Sequence, residues 1–128
     1  MNPTIKANSL IILKKVIVSS KLARKDLIVF QSPLKKNFIL LKRIIACPGD
    51  KIEITSKGSI GINEHLILNE KESQIDWIEH EWHLNDDEFI VLGDNRSESQ
   101  DSRDFGPIKF DNIIGKAILL LWPIKFLR

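Results

Sequence analysis

Lys42 is the residue of this chain whose position best suits it to acid–base chemistry. It stands in "NFILLKRIIA", an extended apolar pattern whose side chains alternate, so Lys42 shares a face with Leu40 and Ile44 while Arg43 points the opposite way. An ammonium held between branched apolar neighbours loses hydration, and desolvation lowers a lysine pKa from about 10.4 by up to several units. A neutral amine of this kind is a general base that can replace histidine in activating a serine hydroxyl. The commoner fate of a strand lysine is to extend its charge into water, so the assignment needs partners elsewhere in the chain.

Such partners stand in "GDNRSESQDSRDFGP", Gly93 to Pro107, where an apolar strand pattern ends in a glycine turn. The loop that follows carries Asp94, Asn95, Arg96, Ser97, Ser99, Asp101, Ser102 and Arg103. So many hydrogen-bonding groups in one loop require mutual partners, and the expected pairs are Asp101 with Arg103 and Asp94 with Arg43. Taken alone, the loop also reads as a self-satisfied surface turn.

Two other groups invite a chemical reading and do not sustain one. His80, Glu81 and His83 form the one metal-like cluster, but a zinc peptidase helix needs histidines four apart, and these are three apart. They are expected in a loop or short helix spanning Glu70 to Asp87, exposed and without a metal. Cys47 is the single cysteine, so no internal disulfide forms, and its place after an apolar strand suits an inert buried thiol.

The elements that must position Lys42 and the loop are strands. "SLIILKKVIV", "DLIVF", "NFILLKRIIA", "KIEI", "HLILN", "EFIVLGD" and "IIGKAILLLW" are rich in Ile, Val, Leu and Phe. Turn residues at "QSP", "CPGD" and "SKG" separate several of them. Many short strands with few helical candidates imply an all-β barrel or sandwich-like domain. At 128 residues, with 43% hydrophobic and 28% charged residues, the chain suits one globular domain with a real core. Nineteen basic against seventeen acidic residues leave a net charge of +2, too little to indicate a nucleic-acid partner. The apolar run "AILLLWP" is far short of the ~20 residues that span a bilayer.

Four motifs in order, "MNPT", "LKRIIACPGD", "GDNRSESQDSRDFG" and "IIGKA…LWP", resemble those of the type I signal peptidases, the Ser/Lys endopeptidases of peptidase family S26. The resemblance runs from Met1 to Pro123 and implies a single catalytic domain over residues 1–128. Its implied fold is mostly β, a small barrel or sandwich-like core in minimal form, because the short span from Lys42 to Ser99 leaves no room for a large inserted domain. By the same resemblance Lys42 is the general base, Ser99 orients its amine, and Arg43, Asp94, Asn95, Arg96, Asp101, Ser102 and Arg103 brace the site. Met1, Pro3 and Thr4 match the substrate-binding segment that follows the nucleophile. The nucleophilic serine itself is implied directly before Met1, outside this chain, together with an upstream membrane helix, so the 128 residues alone are expected to be inactive.

The resemblance further implies precursor proteins as substrates, bound as an added extended strand, and no metal or cofactor. A location on the extracytoplasmic side of a membrane goes with that reading. Three alternatives remain at this stage: a specialised, cytoplasmic maturation peptidase, for example of nickel superoxide dismutase precursors; a pseudo-peptidase that binds extended peptides without cutting them; and a structural or assembly subunit that uses the same barrel without a peptide groove. Turn positions depart from the family pattern at Asn8 and Ser9, at Lys25, and at Asn63 and Glu64, where glycine-containing turns are usual.

Overall fold

Apolar runs punctuated by turn residues fold into eleven strands in the computed structural model, which describes residues 9–69, 78–121 and 124–126. These are β1 (Ile11–Lys14), β2 (Leu27–Gln31), β3 (Ile39–Ala46), β4 (Lys51–Ile54), β5 (Ser59–Ile62), β6 (His65–Asn69), β7 (His80–His83), β8 (Glu88–Leu92), β9 (Ile108–Lys109), β10 (Ile113–Leu121) and β11 (Ile124–Phe126). Among the described residues one short α-helix, α1 (Ser102–Phe105), and three 3-10 turns interrupt them. A seven-stranded antiparallel sheet runs β1-β10-β2-β3-β8-β9, with β11 also paired to β10; a second sheet of four runs β6-β5-β4-β7. The chain is therefore mostly β, as its apolar patterning indicates.

Strands β3 and β8 form the wall shared by two cores. Ile44, Phe89 and Val91 pack on one side with Ile28, Phe30 and Ile108, while Ile45, Ala46, Ile90 and Leu92 pack on the other with Ile52, Ile54, Ile60 and Ile62. Burial on both faces explains why "EFIVL" is apolar without alternation. The register of β3 against β8 shifts between Ile44 and Ala46, opposite Val91 and Ile90. The extra residue bends β3 there, and from that point its side chains serve the second core. Upstream of the bulge, strict alternation holds. Lys42 pairs with Ile28 and thus shares the face of Leu40 and Ile44.

The segment expected as a loop or short helix is different where the structure describes it. Residues 80–83 form β7, antiparallel to β4, with Trp82 opposite Ile52 and packed on the core. The four-residue alternation of half-buried His80 and Trp82 with exposed Glu81 and His83 is a strand signal. It is short and polar enough to pass for a loop. Residues 70–77 of that expectation lie outside the described residues.

Among the described residues, left-handed backbone without glycine occurs at Lys25, at Asn37 and at Asn63 with Glu64. Asn63 and Glu64 have φ of 50° and 69° between β5 and β6, the pattern of a two-residue hairpin turn that ordinarily takes Asn-Gly. Lys25 has φ of 77° and is held there by its neighbours: its N–H donates to the Ile44 carbonyl at 2.8 Å, and its own carbonyl accepts from Arg43 Nη1 at 2.7 Å.

Candidate active site

The site begins where β8, still paired with β3 on one side, runs out of a partner on the side of β9. β9 pairs only with Glu88 and Phe89, which leaves the later N–H groups of β8 in need of acceptors. Side chains of the following loop provide them. The Val91 N–H donates to Ser102 Oγ at 2.9 Å, and the Gly93 N–H donates to Asp101 Oδ2 at 3.0 Å. Asp101 and Ser102 are fully buried, so the loop is tied to the strand from beneath.

Asp101 also starts α1. Its side chain accepts the Arg103 N–H, while Asp104 Oδ2 accepts the Asp101 N–H at 3.0 Å, a reciprocal capping box. The Arg103 guanidinium grips Asp101 through Nε at 2.9 Å and Nη2 at 2.8 Å, and Nη2 also donates to the Arg96 carbonyl at 2.8 Å. Burial alone pushes the Asp101 carboxyl up, but the bonds from Arg103 and the Gly93 N–H outweigh it and hold the carboxyl below its usual 3.8.

Fastened in this way, the loop turns Ser99 back onto β3. Lys42 Nζ donates to Ser99 Oγ at 3.0 Å. The approach requires Gly93, because a Cβ at that position would overlap the Ser99 side chain and stand 3.5 Å from Lys42 Nζ. Lys42 is half-buried, and that burial lowers its pKa from the usual 10.5; the Arg103 charge acts in the same direction, against the opposing charges of Asp101, Asp104 and Asp94. The result is a less basic amine, a larger fraction of which is unprotonated and free to accept a proton at moderate pH, with its direction fixed by a hydroxyl.

Arg43, on the opposite face of β3, makes a bidentate pair with Asp94 through Nε and Nη2, both at 2.9 Å. Both ion pairs expected from the sequence are thus present. Nearer the loop tip, Ser97 Oγ donates to Asn95 Oδ1 at 3.2 Å, and Asn95 Nδ2 donates to Glu98 Oε2 at 3.4 Å. Lys42, Ser99, Asp101, Ser102 and Arg103 are brought together, with Arg43 and Asp94 as a clamp behind them. Met1, Pro3 and Thr4 lie outside the described residues.

Sequence reasoning missed the bracing of the "PGD" turn. Asp50 accepts the Cys47 N–H at 2.8 Å, Arg24 Nη2 at 3.0 Å and Asn63 Nδ2 at 3.1 Å. An aspartate closing a turn with glycine at φ of 84° was the available signal, but its distant partners had none. Cys47 is half-buried, and desolvation with the adjacent Asp50 charge pushes its thiol up to about 11, so it is a poor nucleophile at neutral pH. His80 and His83, three apart on a strand, lie on opposite faces and cannot share one ion. No helix among the described residues is long and apolar enough to cross a membrane.

Comparison of the chain with known proteins gives its family. The model for signal peptidase, peptidase S26, matches residues 1–122. A signal peptidase I of Leptolyngbya laminosa is 35% identical over an alignment covering 98% of this chain and 66% of that protein. A probable signal peptidase I-2 of Synechocystis sp. is 31% identical, covering 97% of this chain and 60% of its own length. Signal peptidase IB of Staphylococcus aureus strain COL is 32% identical, covering 98% and 74%. The chain thus spans 66% and 60% of the lengths of the first two relatives. The crystal structure of a signal peptidase I from Enterococcus faecalis V583 shares the fold, with a TM-score of 0.63 at 24% identity over 82% of this chain and 98% of that one. By family match and by relatives above 30% identity along nearly its whole length, the chain belongs to the signal peptidase family, peptidase S26.

Proposed function

We propose that residues 1–128 form the single catalytic domain of a signal peptidase I-type serine endopeptidase that cleaves leader segments from precursor proteins. Lys42 is its general base, Ser99 orients the amine, and the nucleophile is a serine directly before Met1. The observation that carries this reading is the 3.0 Å contact between Lys42 Nζ and Ser99 Oγ, in a half-buried setting that favours the neutral amine. Arg43, Asp94, Asn95, Arg96, Asp101, Ser102 and Arg103 hold the geometry, and Met1, Pro3 and Thr4 border the bound peptide.

The neutral Lys42 amine takes the serine proton as the serine oxygen attacks the scissile carbonyl. Backbone N–H groups near Met1 stabilise the resulting oxyanion. As the tetrahedral intermediate collapses, the C–N bond breaks, the Lys42 ammonium returns its proton to the departing amine, and an acyl ester remains on the serine. A water then attacks the ester; Lys42 takes its proton and passes it to the serine oxygen as the leader leaves as a carboxylate. The precursor lies in extended form across the site. An upstream helix anchors the protein, with this domain on the extracytoplasmic side.

The reading is tested by incubating the protein from its native source with a precursor bearing an apolar leader, and by measuring product masses beside the enzyme's own N-terminal sequence. One cut after a small residue, by a protein carrying serine directly before Met1, is the expected result. Binding of the precursor without any cut would contradict it.

A further inference from the structure

Beyond β1 the chain passes through Val16, Ile17 and Val18 to Lys21, and this stretch, with Lys14, Lys15 and the β10 residues Lys116 and Ile118, walls a cavity of about 490 Å³. Its lining is predominantly apolar, and every polar side chain in it is a lysine. Val16 and Leu22 pack into the core of Ile28 and Phe30, while Ile17 and Val18 between them stand 81% and 48% exposed. Two branched apolar side chains are thus held in water between buried anchors, at a hydration cost that an apolar partner would remove. Among the lysines, Lys116 pairs with the buried Asp26 at 3.1 Å. Lys14, Lys15 and Lys21 make no ion pair among the described residues, so the lining carries uncompensated positive charge. Lys14 pairs with Lys116, Lys116 with Ile28, and Ile28 with Lys42. Residues paired across antiparallel strands project to one face, so the cavity lies on the Lys42 face of the sheet, two strand spacings or about 10 Å from Lys116 to Lys42 along the backbone row.

We propose that this cavity binds one molecule of anionic phospholipid, its phosphate beside Lys14, Lys15 and Lys21 and its first acyl carbons along Ile17, Val18 and Ile118. Apolar walls alone would take any acyl chain; the three unpaired lysines select the anionic headgroup. A lysine stem lies along apolar surface and carries its ammonium to the polar boundary, so the same residues meet both halves of the ligand. An acidic peptide would satisfy the lysines and leave Ile17 and Val18 in water. Held by such a lipid, the sheet keeps its Lys42 face close to the bilayer surface. The site is separate from the peptidase reading, and its test follows binding without turnover.

The test floats the chain with vesicles of phosphatidylcholine alone and with vesicles of equal parts phosphatidylcholine and phosphatidylglycerol. Binding should be about 10²-fold tighter to the mixed vesicles, the scale that three lysines provide at an anionic surface. Lys14→Gln, Lys15→Gln and Lys21→Gln together should bring that ratio close to one. Ile17→Ser with Val18→Ser, at exposed positions that the core does not need, should weaken binding to the mixed vesicles by about tenfold or more. In the unaltered chain, short-chain phosphatidylglycerol should shift the amide resonances of Val16, Ile17, Val18 and Ile118, and inorganic phosphate should leave them in place. Equal affinity for the two vesicle types, a preference that survives the three Gln substitutions, undiminished binding by the double Ser variant, or equal shifts from inorganic phosphate would overturn the lipid site while leaving the peptidase reading intact.

Discussion

Gly93 and Ser99 occupy the same space in turn: the missing side chain of one is the room taken by the side chain of the other. A Cβ on residue 93 would overlap Ser99 Oγ and stand 3.5 Å from Lys42 Nζ. The glycine is therefore required by close approach and not by a positive φ. It allows a loop hydroxyl to meet a strand amine across the end of β8.

Gly93→Ala should accordingly displace Ser99 and break its bond to Lys42 without removing any polar group. In a chain extended upstream by the serine, kcat should fall about 10²-fold, the scale of a misplacement near 1 Å. Ser99→Ala should produce a loss of similar order. Peptide kinetics beside thermal melting check this, and an unchanged kcat in a folded Gly93→Ala protein would remove the orienting role of Ser99.

The Lys42 pKa gives two pH dependences. Its folded value lies below the usual 10.5, so between the folded and unfolded values the unfolded chain binds the additional proton. Stability from this group therefore rises with pH through that window, and the cost of burying the charged amine is fully present below it. Lys42→Met should flatten this part of the urea stability profile. Turnover should rise with pH on a limb whose apparent pKa lies below 10.5. Asp101 gives a slope of the same sign at the acid end: its folded value lies below 3.8, so its contribution is present above that pH and is lost as pH falls through the window beneath it.

Asp101→Ala should be the most damaging substitution in the loop. It would leave the Arg103 guanidinium, the Gly93 N–H and the α1 cap without an acceptor that is fully buried. Breaking one member of a buried pair costs about 3–5 kcal/mol. Replacing Arg103 by Met in the same chain should recover part of that loss, because the stranded charge goes with it. Urea denaturation of the two single variants and the double variant measures the coupling.

Much of this arrangement was legible in the sequence, and the reasons differ by residue. Alternation in β3 put Lys42 and Arg43 on opposite faces, and charge complementarity within one loop indicated Asp101 with Arg103 and Asp94 with Arg43. The supports of that geometry were harder to read. Ser102 completes the β8 ladder through a side chain, and nothing in its type separates it from a solvated serine. The extra residue at Ile45 lies inside an apolar run where any register looks alike. Strand β7 is four residues long and half polar, so its strand character comes from Trp82 docking on the core. Lys25 takes a left-handed turn that composition opposes, because its backbone bonds to Ile44 and Arg43 hold it.

Glu64 offers a direct check on this conflict between local preference and fold. Its φ of 69° is costly for a residue with a Cβ, by about 1–2 kcal/mol, and glycine removes that strain while adding about 0.5–1 kcal/mol of backbone entropy cost. Glu64→Gly should therefore stabilise the chain by about 0.5–1 kcal/mol, seen as a higher urea midpoint at constant slope. A lower midpoint would show that the carboxylate contributes more than the turn strain takes away.

In the proposed mechanism Lys42 is the base for a serine directly before Met1. The most direct measurement compares peptide hydrolysis by three proteins: the chain extended upstream through that serine, the same protein with alanine in its place, and the serine form carrying Lys42→Met. The proposed mechanism requires turnover by the first and a loss of about 10⁴-fold or more in each of the others, all three remaining folded. Equal turnover by the alanine form, or full turnover by Lys42→Met, would contradict it.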